Sequence, residues 1–183
     1  MKKEIIQFGT TNTLTVSPTE DTVFSIKFNG NERGQKSLIV YLDVPNMSCK
    51  IYCGYKVSLG NTIDLITTII HKAPATNCDT VIRGVLYNGG VSSYQGKVII
   101  EKTAQGSVSR LEDRVLVVGE GTHNHAEPVM QIEANNVVAS HASTTGRVDG
   151  GQLYYLQSRG LSREESQDLL IDAFLCNSEQ SEY

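Results

Sequence analysis

The chain has 183 residues and a formal net charge of −4, with 20 acidic and 16 basic side chains. Because Lys and Arg are scattered, composition excludes the basic stripe of a nucleic-acid binder and the polybasic cluster of a membrane-surface protein. There is no run of about 18 apolar residues, the length that crosses a bilayer, so we expect one cytoplasmic domain without membrane insertion.

Most of the chain is a series of short β segments rich in Val, Ile, Thr and Tyr, separated by Gly, Asn, Asp or Pro. Spacing alone allows a sandwich, a barrel or a β-helix, and by itself favours the sandwich. The predicted strands cover residues 3–8, 13–16, 23–28, 37–44, 49–57, 62–70, 80–86, 96–102, 114–118, 130–134 and 137–139.

Four cysteines, Cys49, Cys53, Cys78 and Cys176, form no CxxC pair. We expect free thiols that act as small buried hydrophobes, as is usual in a cytosolic chain. In an alternative interpretation, Cys49 and Cys53 share one strand face and meet Cys78 as thiolate ligands for iron or zinc. A single reactive thiol is a third alternative.

His123, His125 and Glu127 alternate along the chain. If residues 122–128 are extended, all three side chains project from one face with the spacing of a metal clip. Nearby glycines at 119 and 121 favour instead a solvated loop before Pro128. A metal held there would need neutral imidazoles, so its affinity should fall as the pH drops through about 6.5.

His141 stands in a hydroxyl-rich segment, residues 140–145, which we interpret as a turn between the β body and the helices. A first helix is predicted over residues 152–159, with Gly160 at the position where helices end in a left-handed residue. A second helix begins after Ser162, whose hydroxyl and the carboxylate of Glu165 are spaced for reciprocal capping.

Along the second helix, apolar residues recur at helical spacing and form a narrow stripe: Leu169, Leu170, Ala173 and Phe174. This stripe packs on the β body or lies in the groove of a partner protein. Tyr155 and Arg159 on the first helix belong to residue types enriched at protein interfaces.

The segment SHASTTGRVD…QLYYLQSRGLSREESQDLLIDAF, residues 140–174, resembles the C-terminal signature of the SufB/SufD family. Members of that family are scaffold subunits of the SUF iron–sulfur cluster assembly system. Upstream, YQGKV at residues 94–98 is similar to the family's Phe/Tyr-x-Gly-Lys/Arg-Val, and HAEP at residues 125–128 to its His-x-x-Pro. The resemblance is specific over about the last hundred residues.

The resemblance implies a right-handed parallel β-helix core followed by a short C-terminal helical segment. We accordingly expect a β-helix core over residues 1–150 and C-terminal helices over residues 151–183, in one structural domain. Long family members carry a helical N-terminal domain that would have no room here, so the chain is expected to match only their core and C-terminal part.

For function, the resemblance implies a noncatalytic scaffold or partner subunit that binds iron or an iron–sulfur cluster transiently. His141 matches the histidine implicated in cluster assembly, where one ring nitrogen would face the metal. SufB-type members have an acidic residue on each side of this histidine, where the chain has Ser140 and Ala142, and SufD-type members have a cysteine where the chain has Ala139. A complete cluster site is therefore expected only if two chains share it.

The resemblance also implies two partners. A SufC-like ABC-type ATPase would dock on residues 161–175, and we predict these contacts for the helical tail: Tyr155, Arg159, Leu169, Leu170, Ala173 and Phe174. Unpaired solenoid edges predict a homodimer, or a heterodimer with a SufB/SufD-like subunit.

Two functions of other classes are alternatives to a scaffold role. The first is a stand-alone β-solenoid that binds a metal through His123, His125 and Glu127. The second is a carbohydrate-active β-helix enzyme, which needs clustered carboxylates in an aromatic groove. The acids here are scattered and there is no Trp. Because no nucleophile constellation or phosphate loop stands out either, we expect no enzyme.

Overall fold

In a computed structural model, which describes residues 1–28 and 34–176, the chain winds between two parallel β-sheets and ends in two helices. Sheet A has six strands, in the order β1 (Lys2–Ile6), β3 (Thr22–Ile26), β5 (Ser48–Val57), β7 (Asn77–Leu86), β9 (Val108–Val117) and β11 (Val138–Arg147). Sheet B has five, in the order β2 (Thr13–Val16), β4 (Lys36–Leu42), β6 (Thr62–His71), β8 (Val91–Ile100) and β10 (His123–Ile132).

Successive strands alternate between the sheets, and each strand pairs in parallel with the strand two positions along the chain. This is a β-solenoid, so the predicted parallel β-helix followed by helices is confirmed, and the sandwich favoured by spacing alone is wrong. Strand spacing could not separate the two folds, because register between rungs depends on contacts far apart in sequence.

The core lies between the two sheets and is built from columns of residues in register. One such column on sheet A contains Phe24, Ile51, Thr80 and Leu111, all buried. Burial alternates with a period of two along the inner strands, as expected where one face of each strand points inward. The outward residues of β4 and β8 are half-buried, whereas Tyr52 of β5 and Arg83 and Val85 of β7 are buried on the outward face.

Two tyrosines fit inside the solenoid because glycines leave room for their rings. A Cβ at Gly84 would lie 2.5 Å from the ring of Tyr55. A Cβ at Gly96 would collide with Leu111 and crowd the hydroxyl of Tyr94. Tyr94 shares a buried 2.7 Å hydrogen bond with Thr67, which satisfies its polar end.

The turns between the sheets also stack in register. Asn46, Ala75 and Gly106 occupy equivalent positions and all have positive φ, at 59°, 55° and 76°. The backbone N–H of Asn46 donates to the Pro74 carbonyl, and that of Ala75 to the Gln105 carbonyl. Asn and Gly adopt this left-handed conformation readily, whereas Ala75 does so at a cost.

Two helices follow β11: α1 (Gly150–Ser158) and α2 (Arg163–Cys176). Asp149 caps α1 by accepting from the Gln152 N–H at 2.8 Å, and Gly160 has φ +98° just beyond its end. At α2, the Ser162 N–H donates to Glu165 Oε2 at 2.8 Å, and the Glu165 N–H donates to Ser162 Oγ at 3.1 Å. The predicted helices and reciprocal cap are therefore confirmed; residues 177–183 of the predicted tail lie outside the described residues.

Candidate functional site

His141 lies inside the last strand of sheet A. β11 pairs with β9 over ten residues, with His141 opposite Leu111. The prediction of a turn was therefore wrong: the Ser and Thr run suggested turn chemistry, but Thr also favours strands and pairing with β9 outweighs local preference. Register partners point to the same side of a sheet, so His141 shares the inward side with buried Leu111.

The inward side of β11 is open to solvent, because β11 is the last strand of sheet A in the described part of the chain. His141, Ser143 and Thr145 all continue inward columns and are exposed. β10 is likewise the last strand of sheet B. We call the end of the solenoid formed by Asp113, Asn124, His141, Ser143 and Thr145 the C-terminal mouth.

Asp113 is the buried acid of the C-terminal mouth. It faces inward from β9, is 1% exposed, and pairs in register with Ser143. Ser143 Oγ donates to Asp113 Oδ2 at 3.3 Å, whereas Oδ1 has no hydrogen-bond partner among the described residues. Burial raises the pKa of Asp113 to about 6, against smaller opposing effects of Ser143 and Arg83.

Asn124 joins the two sheets at the mouth. It faces inward from β10, and its Nδ2 donates to Thr145 Oγ1 on β11 at 2.9 Å. Its Oδ1 accepts from Ser92 Oγ on β8 at 2.6 Å. These two bonds tie the last strands of the two sheets to each other and to the preceding rung.

His123, His125 and Glu127 lie on the outward face of β10 and are exposed. The segment is extended, as the clip interpretation requires, rather than a loop. The first and third side chains are nevertheless about 13 Å apart along a strand that rises about 3.3 Å per residue, and Gln95 Nε2 donates to Glu127 Oε2 at 2.9 Å. In residues 1–28 and 34–176, no three His, Cys, Asp or Glu side chains are grouped so that they could hold a metal ion.

Pro128 is the reason that the sequence predicted a strand only from residue 130, whereas β10 begins at His123. The His123 N–H donates to the carbonyl of Gly90, the residue before β8, so alternate residues from 123 onward bond to β8. Pro128 falls at a position facing the free edge, where a missing N–H removes no ladder bond. Proline is therefore compatible with this strand because the strand is an edge.

Three of the four cysteines lie inside the core. Cys49 and Cys78 are register partners on β5 and β7, and both are buried. Cys53 also faces inward but pairs with Ile82, four residues further along, so the three thiols do not form one site. Burial raises the pKa of Cys53, which keeps that thiol protonated; the side chain of Cys176 lies outside the described part.

The exposed side of the helical tail carries several large side chains. Tyr154, Tyr155 and Leu169 are 74%, 55% and 50% exposed. Arg159 lies 5.3 Å from the centre of the Tyr155 ring, and its Nη2 donates to the Tyr155 hydroxyl at 3.3 Å. Tyr155, Arg159, Leu169 and Ala173, four of the predicted partner residues, are therefore accessible to another protein.

The opposite side of α2 packs on the outer face of sheet A, and only two residues of the predicted stripe, Leu170 and Phe174, take part in this packing. Its buried residues are Ser166 and Ile171, whereas Leu170 and Phe174 are only half-buried. The Phe174 ring lies 5.4 Å from the guanidinium carbon of Arg83 on β7. The sequence pattern missed Ser166, which can be buried because its hydroxyl donates to the Ser162 carbonyl at 2.7 Å.

Sequence reasoning also missed Asp113 and Asn124. The predicted strand 114–118 began one residue after Asp113, although Ser109, Leu111 and Val115 alternate with it and are buried. That alternation is a signal that could have identified an acid on an apolar face. Asn124 left no such signal, because its partner Thr145 is distant in sequence.

Chemically, the C-terminal mouth offers one imidazole, one carboxylate, hydroxyls and a carboxamide. Nitrogen and oxygen ligands of this kind suit Fe²⁺ and other divalent ions, whereas iron–sulfur clusters are usually held by thiolates. The unpartnered oxygen of Asp113 is consistent with a cation in this region. With Cys49, Cys53 and Cys78 buried elsewhere in the core, the described residues of the mouth suit a divalent ion better than a complete cluster.

Comparison with known proteins identifies the family to which this fold belongs. A family described as the SufBD core domain of SUF system FeS cluster assembly matches residues 2–174. An iron–sulfur cluster assembly protein SufD of Bacillus subtilis is 38% identical over 114 residues, which cover 62% of the chain and 26% of that relative.

Other relatives are similar over comparable lengths. An iron–sulfur cluster assembly SufBD family protein of Mycobacterium bovis is 33% identical over 58% of the chain and 13% of its own length. One from Staphylococcus epidermidis is 30% identical over 64% of the chain and 25% of its own length. The match thus spans about a quarter or less of each of these longer proteins.

Proposed function

The chain belongs to the SufBD core-domain family of the SUF system for iron–sulfur cluster assembly, and we propose that it is a noncatalytic SufB/SufD-like scaffold or partner subunit of that system. Family membership extends over nearly all described residues, including both sheets and both helices. In this proposal the chain binds iron or a nascent cluster transiently and passes it on.

The observation that carries the proposal is the position of His141. The residue that matches the family's histidine stands on the inward side of the last strand of a solenoid, exposed and next to a free edge. An imidazole there can bind a metal together with ligands from a second chain that approaches the same edge. No cysteine side chain of the described residues lies in this position, which supports a shared site over a complete one.

Anaerobic reconstitution with iron and sulfide tests the proposal. We expect a cluster absorbance and bound iron for the wild-type chain mixed with a SufB/SufD-like partner, and loss of most of both with His141→Ala. His125→Ala, on the outer face of the neighbouring edge strand, is the matched control and should leave the spectrum unchanged. Equal cluster content in wild type and His141→Ala would exclude a role for this histidine.

We further propose that a SufC-like ABC-type ATPase docks on the helical tail. Support comes from the exposed tyrosines of α1 and from Leu169, which lie on the side of the tail that does not contact sheet A. Exposed aromatic side chains and Arg of this kind commonly form the centres of protein interfaces. The other side of α2 is occupied by its packing against β7.

Substitutions at exposed positions test this docking without disturbing the packing of α2. Tyr155→Asp and Leu169→Asp should each weaken binding of a SufC-like ATPase by about tenfold or more, since hot-spot truncations cost about 2 kcal/mol. Ile5→Asp, at an exposed apolar residue of β1, is the control. If both tail variants bind the ATPase with wild-type affinity, the ATPase docks elsewhere.

We also propose that the chain pairs with a second copy or with a SufB/SufD-like subunit through the free edges of β10 and β11. An edge strand presents unpaired N–H and C=O groups that another strand can complete. Such pairing would place a second chain beside His141. A cytoplasmic location remains part of this proposal, because buried free thiols suit a reducing compartment.

A second candidate function is metal binding by the outer face of β10, independent of SUF partners. It is favoured by the extended strand, which puts His123, His125 and Glu127 on one exposed face. Saturable Zn²⁺ binding should then disappear in the double variant His123→Ala, His125→Ala. Full Zn²⁺ affinity in that variant would remove this candidate.

A further inference from the structure

Burial of the Asp113 carboxylate in this position is energetically unfavourable. A carboxylate with one unpartnered oxygen and a single weak hydroxyl contact loses most of its hydration without replacement. The nearest guanidinium does not compensate directly: Arg83 Nη2 bonds Glu112 Oε1 at 2.6 Å on the outer side of the sheet. Among the described residues, Asp113 is therefore a buried acid that forms no salt bridge with a basic side chain.

Asp113 and His141 are neighbours on the inward side of adjacent strands. Asp113 is opposite Ser143, and His141 is opposite Leu111, so the two are diagonal neighbours offset by two residues. Diagonal side chains on one face of a sheet start about 7–8 Å apart. This separation allows a carboxylate and an imidazole to reach one ion between them, at about 2 Å from each.

We propose that Asp113 is the carboxylate ligand that shares an incoming divalent iron ion with His141 in the C-terminal mouth. The proposal rests on the role of His141 in the proposed function and adds a residue from the preceding rung. Binding is simple coordination, in which Asp113 supplies an oxygen and His141 a ring nitrogen. Water or a second chain supplies the remaining ligands, and no electron is transferred.

The composition of β11 explains why the acid comes from another strand. Ser140 and Ala142 flank His141, and Ala139 precedes them, so β11 contributes no anionic or thiolate group near the histidine. Asp113 provides that negative charge from β9. Ser143 holds one carboxylate oxygen and leaves the other free, while the bond between Asn124 and Thr145 fixes the strands around it.

Cobalt(II) is a suitable probe, because its visible absorbance reports nitrogen and oxygen coordination without requiring cluster assembly. Titration of the full chain, alone and with a SufB/SufD-like partner, should show a saturable site. Asp113→Asn and His141→Ala should each weaken Co²⁺ affinity at least tenfold. The double variant should bind hardly more weakly than either single variant, since both residues would serve the same ion.

Asp79→Asn is the matched control, because it changes an acid on the outward face of β7 that pairs with Arg110 and lies outside the mouth. It should retain affinity within about twofold. Asn is nearly isosteric with Asp and can still accept a hydrogen bond from Ser143. Asp113→Asn should therefore stay folded without metal, and its midpoint of thermal unfolding should be no lower than that of the wild-type chain.

Wild-type Co²⁺ affinity in Asp113→Asn would overturn the proposal, as would the absence of a saturable site in the wild-type chain. The result is separable from the proposed function. If reconstituted clusters need His141 while Asp113→Asn binds Co²⁺ normally, the scaffold function stands and the role of Asp113 fails. If Co²⁺ needs both residues but no cluster forms with any partner, the metal pair stands and the scaffold function fails.

Discussion

Asp113 makes the folded chain less stable at neutral pH than an uncharged residue would. Its pKa is raised by burial to about 6 from an ordinary value of 3.8, so the folded state binds the proton more tightly than the unfolded state. The penalty is absent below about pH 4, grows between pH 4 and 6, and is complete above pH 6. The two pKa values correspond to at most about 3 kcal/mol.

We therefore predict that Asp113→Asn stabilises the metal-free chain by about 1–3 kcal/mol at pH 8 and has almost no effect near pH 4. Urea unfolding of wild type and variant at both pH values measures the difference. A variant that is less stable than wild type at pH 8 would mean that the charged carboxylate has a favourable partner in the folded chain.

His71 should produce the opposite pH dependence. Burial lowers its pKa to about 4 from 6.5, so the folded state keeps it neutral while the unfolded state takes up a proton. Its contribution to stability is complete above about pH 6.5 and is lost as the pH falls towards 4, by at most about 3 kcal/mol. Nδ1 lies 2.8 Å from Thr76 Oγ1, in a buried turn network with Ser107.

His71→Asn tests this assignment, because the amide can occupy the place of Nδ1 but does not titrate. The variant should be less stable than wild type at pH 7, from the lost packing, and the difference should shrink as the pH falls from 6.5 to 4. Measuring unfolding against wild type at each pH cancels the contribution of Asp113. A difference that does not change with pH would assign acid sensitivity to other groups.

Among the elements, α2 depends strongly on its first turn. Two hydrogen bonds join Ser162 and Glu165 there, one from each backbone N–H to the side chain of the other residue. Hydrogen bonding of the Glu165 carboxylate to the backbone N–H and the side chain of Ser162 lowers the pKa of Glu165. We predict that Ser162→Ala destabilises α2 by about 1 kcal/mol. Amide hydrogen exchange should become faster in α2 but not in β7. Ser158→Ala is the control and should have a smaller effect, since the Ser158 hydroxyl donates to the Tyr155 carbonyl within α1 and does not cap a helix.

These helices were predictable because their signals are local. A cap, a terminal glycine and apolar spacing all lie within a few residues, and α1 and α2 begin and end within about two residues of the predicted positions. β10 and β11 were not, because Pro128 and the hydroxyl residues beside His141 resemble loop chemistry. What makes these segments strands is pairing with β8 and β9, about thirty residues earlier in the chain.

At the scale of the whole molecule, the sequence indicated a β body, but the resemblance decided its architecture. The same alternation of apolar residues suits a sandwich and a solenoid. Only the register between distant strands, such as Cys49 with Cys78 or Asp113 with Ser143, distinguishes them. The C-terminal mouth belongs to this scale, since its residues come from β9, β10 and β11 and meet only when the solenoid is wound.

The ends of the solenoid determine how it can assemble. The Val138 N–H donates to the carbonyl of Ser107, the residue before β9. The N–H and C=O groups of even-numbered residues of β11 therefore bond to β9, and those of odd-numbered residues face the free edge. Ala139→Pro therefore removes an edge donor while sparing the ladder to β9, and adds a ring that obstructs an approaching strand. Ala142→Pro, by contrast, removes a bond within sheet A.

We predict that Ala139→Pro weakens self-association, or association with a SufB/SufD-like subunit, by about tenfold or more while the monomer keeps nearly wild-type stability. Ala142→Pro should instead lower stability by about 1 kcal/mol or more, because it removes a hydrogen bond of the ladder to β9. Light scattering over a range of concentrations measures the first effect, and urea unfolding the second. If Ala139→Pro associates as the wild type does, the contact lies away from β11. In that case two chains do not share a metal across this edge.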